Sequence, residues 1–531
     1  MKMLSLRAAV AASLLTIAVG VSAKPLVVCT EASPEGFDPV LYTTAVTSDA
    51  AAETLFNRLV DFKPGTAEIQ PALAESWEIS PDGLQYTFHL RKGVKFHTTD
   101  YFKPTRELNA DDVLWSFQRQ LDPNHPWHKQ STVGFPYFES MDFQNLLKSV
   151  EKVDDMTVRF TLSRPEAPFL LDLGMAFTSI HSAEYANQLL KAGKLDDLNA
   201  KPIGTGPFVF QRYAKDAQVR YKANPDYFRG KPPAEALIFA ITPDNNTRLQ
   251  KLRANECQVA LYPKPDDVPS IQADPNLQVV SMAAMATGYT AINTEHKYLS
   301  DVRVRQAIEL ALDKQTYADT LFGKGNAIPA VNPYPPTLLG YNDKLKNPPL
   351  NLDKARALLK EAGVPEGTVF TLYTRNGGGP TNPNPQLGAQ LIQSDLAKIG
   401  LKIDIRVMEW AEMLKRAKKG EHDLVSAGWS GDNGDPDNFL TPLMSCEAAK
   451  NGENYSRWCN QPFQTLIEQA RAETVPAERA ALYEKALEIL HNDVLWVDQV
   501  HPKMFTAMRK NVEGYHINPL STNNFATTQV K

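Results

Sequence analysis

A chain of 531 residues with 56 Lys and Arg against 61 Asp and Glu carries a formal charge of −5, which excludes the basic surplus a nucleic-acid binder normally shows. Its 38 prolines are dispersed, with no low-complexity tract and no internal repeat, so neither a disordered nor a repeat protein is indicated. The length accommodates two or three domains.

In chain order, Lys2 and Arg7 precede the apolar stretch Ala8 to Val21, and Val21-Ser22-Ala23 closes it. That is the n-region, h-region and small-residue cleavage site of a secretory leader, too short to span a bilayer comfortably. No cysteine follows it, which argues against a lipid anchor. Cleavage after Ala23 would leave 54 basic and 61 acidic residues and no other membrane-crossing run, hence a soluble, exported protein. The four cysteines Cys29, Cys257, Cys446 and Cys459 fit an oxidising compartment. They allow three connectivities, of which one short-range and one long-range pair is the simplest. Without a C-x-x-C motif, zinc is disfavoured.

The first half reads mainly as strands and turns. Trp77 to Phe96 predicts a hairpin about the turn Pro81-Asp82-Gly83, with alternation over Tyr86 to Leu90. Asn109 starts a helix through Phe117. Val158 to Leu162 and Val209 to Tyr213 predict further strands. The second half changes character. Asp353 is expected to cap a helix bearing Ala355, Leu358, Leu359 and Ala362 and ended by Gly363. Asn384-Pro385 opens a helix running to Gly400, and Leu401 to Val407 follows at period two. Ala411 to Lys418 is then a helix and Asp423 to Trp429 a strand. This succession predicts a parallel α/β sheet, whose ligands lie beyond the carboxyl ends of the strands. Trp410 and Asp432 both stand just past such ends.

The second of these ends carries "GWSGDNGDPDNF", with Asp432, Asp435 and Asp437 in one turn. A serine nucleophile elbow is not formed, because the last glycine of G-x-S-x-G is displaced by one. A calcium loop is opposed by Gly434 and Pro436 at positions where oxygen ligands should alternate. His125 and His128 lie in a proline-broken loop, and the glycine clusters at 323–325, 377–379 and 204–206 match no phosphate loop. A carboxylate beside tryptophans suits a cationic amine, through a charge-assisted hydrogen bond of roughly 1.5–3 kcal/mol. The alternative is that these acids only shape the turn, and that reading is preferred for Asp435 and Asp437.

"ALAESWEISPDGLQYTFHLRKGVKFH", "LNADDVLWSFQR", "IGTGPF", "DVRVRQAI" and "GWSGDNGDPDNF" together resemble the solute-binding proteins of peptide-type ABC importers, family 5, in the dipeptide-binding branch. The resemblance covers nearly the whole mature chain. It implies an α/β, two-lobed periplasmic-binding-protein fold, class II and cluster C-like, with an extra subdomain in lobe one. Lobe I would comprise residues 24–284 and 503–531, and lobe II residues 285–502. The chain would cross near Met282–Met285 and return near His501–Met504. Cys29–Cys257 would then lie within lobe I and Cys446–Cys459 within lobe II.

The same resemblance implies roles for individual residues. Asp432 would pair with the α-amino group of a peptide. Trp410, Gly428 and Trp429 would line the floor, and Thr43 and Thr44 would meet the peptide backbone. Side-chain pockets would be roomy and hydrated. One position departs from the branch: the arginine that clamps the ligand carboxylate is replaced by Gly379, before Pro380-Thr381-Asn382-Pro383, and Arg375 stands four residues earlier. Arg375, Gly379 and Thr381 are therefore candidates at the carboxylate end, which has room for a tripeptide or longer peptide. The expected protein is a monomeric, non-enzymatic periplasmic receptor for short peptides, working with an inner-membrane ABC permease and needing no cofactor or metal. Glutathione, haem or another amine-bearing nutrient on the same scaffold is the alternative, and an enzyme or secretion chaperone ranks behind it.

Overall fold

The computed structural model describes residues 25–131, 134–520 and 522–531, with the side chain of Asn451 excepted. The expected leader over residues 1–23 lies outside the described residues. No helix among those described is long and apolar enough to cross a membrane.

Two sheet systems share one long strand, Trp496–Arg509. Its first residues pair with Ala286–Ile292, through Trp496 with Ala291 and Val500 with Gly288. Its last residues pair with Leu277–Ala283, from Lys503 with Ala283 to Arg509 with Leu277, and with Val259–Leu261. The strand thus changes partners between Val500 and Lys503. Beyond it on one side, Leu26–Thr30 runs parallel to both Val259–Leu261 and Ala236–Ile241. Gln218–Ala223 and Phe208–Ala214 extend that sheet antiparallel.

On the other side, Leu424–Ser430, Val369–Arg375 and Lys402–Met408 are mutually parallel in that spatial order. This is the parallel α/β arrangement expected from the helix–strand succession. The crossover helix Pro385–Ala397 buries Ala389, Ile392 and Leu396 at helical spacing, against a core containing Phe370, Leu372 and Ile403. Each such side chain contributes roughly 1.5–3 kcal/mol on full burial. The helix begins at the expected Asn384, whose side chain accepts from the Leu387 N–H, and ends at Ala397, before Gly400 turns the chain with φ +83°.

The predicted hairpin is present as Ala74–Ile79 paired with Gln85–Leu90, and it belongs to a separate four-stranded antiparallel sheet with Thr157–Leu162 and Leu147–Asp154. The helix Ala110–Leu121 covers this sheet, with Phe117 meeting Phe160 edge-to-face at 4.8 Å. Asn109 and Asp112 form a capping box at its start. One sequence expectation is corrected here. The helix Leu352–Glu361 is capped by Asn351, which accepts from the Lys354 N–H, and not by Asp353. Asp353 sits in the first turn and pairs with Arg356 on the surface. Cys29 pairs with Cys257 and Cys446 with Cys459, joining residues 228 and 13 apart. In the chain-entropy picture the longer link removes about 5 kcal/mol of unfolded-state freedom.

Candidate functional site

Three parallel strands deliver their carboxyl ends to one place. Arg375 is the last residue of Val369–Arg375, Trp410 follows Lys402–Met408 by two residues, and Asp432 follows Leu424–Ser430 by two. Between these ends and the segment 31–46 of the first sheet system lies a cavity with about 790 Å³ of non-atom space, part of it open to solvent. Thr43, Thr44, Arg375, Thr381, Trp410, Gly428, Trp429 and Asp432 all line it. Gly379 lines a smaller cavity of about 310 Å³ that shares Arg375, Thr381, Trp410 and Gly428 with the first.

The three acids of the turn separate by environment. Asp432 faces the cavity. Its backbone N–H donates to Asn438 Oδ1 at 2.8 Å, and the Trp429 indole N–H donates to the same oxygen at 3.1 Å. One buried amide therefore fixes both the acid and the tryptophan beside it. Tyr137 donates its hydroxyl to Asp432 Oδ2. Burial pushes the Asp432 carboxyl up to about 7, with the hydrogen bonds from Tyr137 and Asn438 opposing. Asp435 instead accepts both arms of Arg479, at 2.6 and 2.8 Å. Asp437 accepts from Thr441 at 2.6 Å and lies 3.7 Å from Arg471. These two acids also hold the turn, since Asn433 accepts from the Asp435 N–H and Asp435 from the Asp437 N–H. They are buried ion-pair members as well as turn formers, which the sequence did not distinguish.

Arg375 is half-buried and lies with its guanidinium 4.7 Å over the Trp410 ring, an attractive cation–π geometry. Its Nε donates to the Gly377 carbonyl at 3.2 Å, and no carboxylate among the described residues pairs with it. Gly379 makes room for it: a Cβ there would stand 3.0 Å from Arg375 Nη2. Gly428 has a different reason to be glycine, because a Cβ would come within 2.1 Å of Thr381 Oγ1. The loop carrying Thr381 thus packs directly on the strand backbone.

The two threonines are already engaged. Thr43 Oγ1 donates to Glu453 Oε1 at 3.0 Å, and Thr44 Oγ1 to Glu35 Oε1 at 2.8 Å. Glu453 also takes Lys418 at 2.8 Å and the Tyr455 hydroxyl. Contacts between the sheet systems extend outside the cavity, where Asn433 donates to Asp172 at 2.8 Å and Arg471 pairs with Glu166.

Sequence reasoning did not single out Glu31, Tyr137, Glu453 or Tyr455. Glu31 follows the parallel strand Leu26–Thr30 by one residue, so the strand-end rule applied to that strand would have found it. Tyr137, in a short helix opened by Pro136, and Glu453, in a loop, carry no local signal.

The family described as bacterial extracellular solute-binding proteins, family 5 Middle, matches residues 68–451. The chain is 62% identical over 509 residues to di/tripeptide-binding protein 4 of Pseudomonas aeruginosa (strain UCBPP-PA14), covering 96% of this chain and 95% of that one. It is similar in structure to a dipeptide-binding protein from Pseudoalteromonas sp. SM9913 in complex with Met-Leu, with TM-score 0.93 and 36% identity over 96% of this chain and all of the other. It is also similar to the periplasmic binding protein DppA from Helicobacter pylori in complex with the peptide STSA, with TM-score 0.91 and 39% identity over 95% and 98% of the two chains.

Proposed function

The chain belongs to the bacterial extracellular solute-binding proteins of family 5, and from that premise we propose that it is a periplasmic receptor that captures di- and tripeptides between two lobes and delivers them to an inner-membrane ABC permease. The observation that carries this reading is one cavity holding a carboxylate without a cation, Asp432, and a guanidinium without an anion, Arg375. A peptide zwitterion supplies both missing partners. Asp432 takes the α-amino group, and Arg375 takes the α-carboxylate from a position displaced four residues from the usual arginine. Trp410, Trp429 and Gly428 form the floor. In this reading Thr43, Thr44 and Thr381 meet the peptide main chain, and Gly379 leaves Arg375 its space.

The lobes divide as 24–284 with 503–531 and 285–502. The partner switch of Trp496–Arg509 between Val500 and Lys503 supports one of the two crossings. The leader is removed after Ala23, and the receptor acts as a monomer without catalysis or cofactor. Calorimetric titration with a dipeptide, its N-acetyl and C-amide forms, a tripeptide, glutathione and haem tests the reading. The free dipeptide or tripeptide should bind, and both blocked forms should bind more weakly. Binding of haem or glutathione with no peptide binding would overturn it.

A further inference from the structure

Resting on that reading, the cavity contains one more unpaired charged group than a neutral peptide zwitterion uses. Glu31 lines it at the carboxyl end of Leu26–Thr30, from the lobe opposite Arg375 and Asp432. The residue is only 6% exposed, it forms no ion pair among the described residues, and its Oε2 is buried without a hydrogen-bond partner among them. A carboxylate oxygen buried without a donor is costly, so it implies a partner. The Glu31 main-chain N–H reaches the carboxylate, but no cation among the described residues pairs with it. Arg248, the first cation near it, directs its guanidinium to main-chain carbonyls of Leu261, Thr242, Pro243 and Tyr262. Arg375 lies on Trp410 and donates to Gly377. Both cations attract Glu31 from a distance without donating to it, and burial raises its pKa. The other acid of the cavity, Glu453, differs: Thr43, Lys418 and Tyr455 already satisfy it.

We propose that Glu31 is a specificity-determining residue that accepts a cationic side chain, so that the receptor prefers peptides containing lysine or arginine. With Asp432 on the α-amine and Arg375 on the α-carboxylate, a side-chain ammonium or guanidinium is the donor that completes Glu31. An acidic side chain there meets a second carboxylate and is disfavoured.

Calorimetry with Ala-Lys and Lys-Ala, against Ala-norleucine and norleucine-Ala and against Ala-Glu and Glu-Ala, decides it. The lysine peptide of at least one pair should bind about tenfold or more tightly than its norleucine counterpart, with the glutamate peptides weakest. Glu31→Gln should bring that ratio to near one, whereas Asp432→Asn should weaken both members and keep the ratio. Equal affinity for lysine and norleucine peptides in the unaltered protein overturns the proposal without any variant. A ratio that survives Glu31→Gln overturns it too. Binding without charge preference leaves the peptide-receptor reading intact, whereas failure of all six peptides to bind removes both.

Discussion

Tyr137, from the first half of the chain, donates its hydroxyl to Asp432, from the second, which lines the cavity. The same carboxylate is fixed from behind by Asn438, which holds the Asp432 N–H at 2.8 Å. The acid is therefore aimed from two sides, by Asn438 on its main-chain N–H and by Tyr137 on its carboxylate. Pre-aiming of this kind reduces the ordering cost of binding.

Removing that donor should be felt in affinity. Tyr137→Phe takes away a hydrogen bond to a carboxylate that is ionised in the complex, worth roughly 1.5–3 kcal/mol. A dipeptide should bind about 10- to 100-fold more weakly by calorimetry, with the melting temperature of the empty protein moved much less. Unchanged affinity would mean that the bond is broken when ligand is present.

Binding should also release protons. Burial pushes the Asp432 carboxyl up to about 7, and a bound ammonium would favour its ionised form. Below pH 7 the carboxyl must lose its proton to pair, so affinity should rise with pH between about 5 and 7 and level off above. Titrations at pH 6 in buffers of different ionisation enthalpy should report net release approaching one proton. Asp432→Asn should abolish both that release and most of the affinity for free-amine peptides, and affect N-acetylated peptides far less.

Arg375 and Gly379 act as a pair, because the guanidinium occupies the space beside the missing Cβ. Arg375→Ala should weaken a dipeptide with a free carboxylate by about tenfold or more and its C-amide much less. Gly379→Ala sets a methyl 3.0 Å from Nη2 and should displace the guanidinium, lowering affinity in the same carboxylate-dependent way. Equal losses for free and amidated ligands in both variants would remove Arg375 from the carboxylate end.

The acids of the turn should have opposite effects on stability. Asp435→Ala leaves the buried Arg479 without its two-armed partner, and breaking such a pair costs about 3–5 kcal/mol. Asp432→Asn should instead stabilise the empty protein at pH 8. A carboxyl whose folded value is raised keeps its proton in the folded but not the unfolded state between about pH 4 and 7. Its contribution therefore lowers stability as pH rises through that window. Melting temperatures at pH 5 and pH 8 check both statements, and a loss for Asp432→Asn at pH 8 would contradict the second.

Much of the local structure was legible because its causes are local. The hairpin follows from alternation about Pro81-Asp82-Gly83, and the helix at Asn384 from a cap and a proline. Trp410 and Asp432 could be placed at strand ends from periodicity alone. Val369–Arg375 was not read as a strand, so the position of Arg375 at a third such end went unnoticed. The cap at Asn351 was misplaced by two residues because both Asn351 and Asp353 are capping types, and only backbone geometry separates them.

By itself, then, the sequence determined the elements, the parallel α/β order of the second half, the turn of three acids and the departure at Gly379. Those features depend on residues a few positions apart, whose periodicity and capping chemistry are written in neighbouring letters. Only the tertiary structure decided which acid faces the cavity, that Tyr137 reaches it, that Glu31 lines the same cavity, and that Arg375 fills the space beside Gly379. These outcomes depend on burial and on contacts between segments hundreds of residues apart, as between Thr43 and Glu453, 410 positions apart. No local pattern encodes such a contact, because it forms only when the chain's two halves fold together.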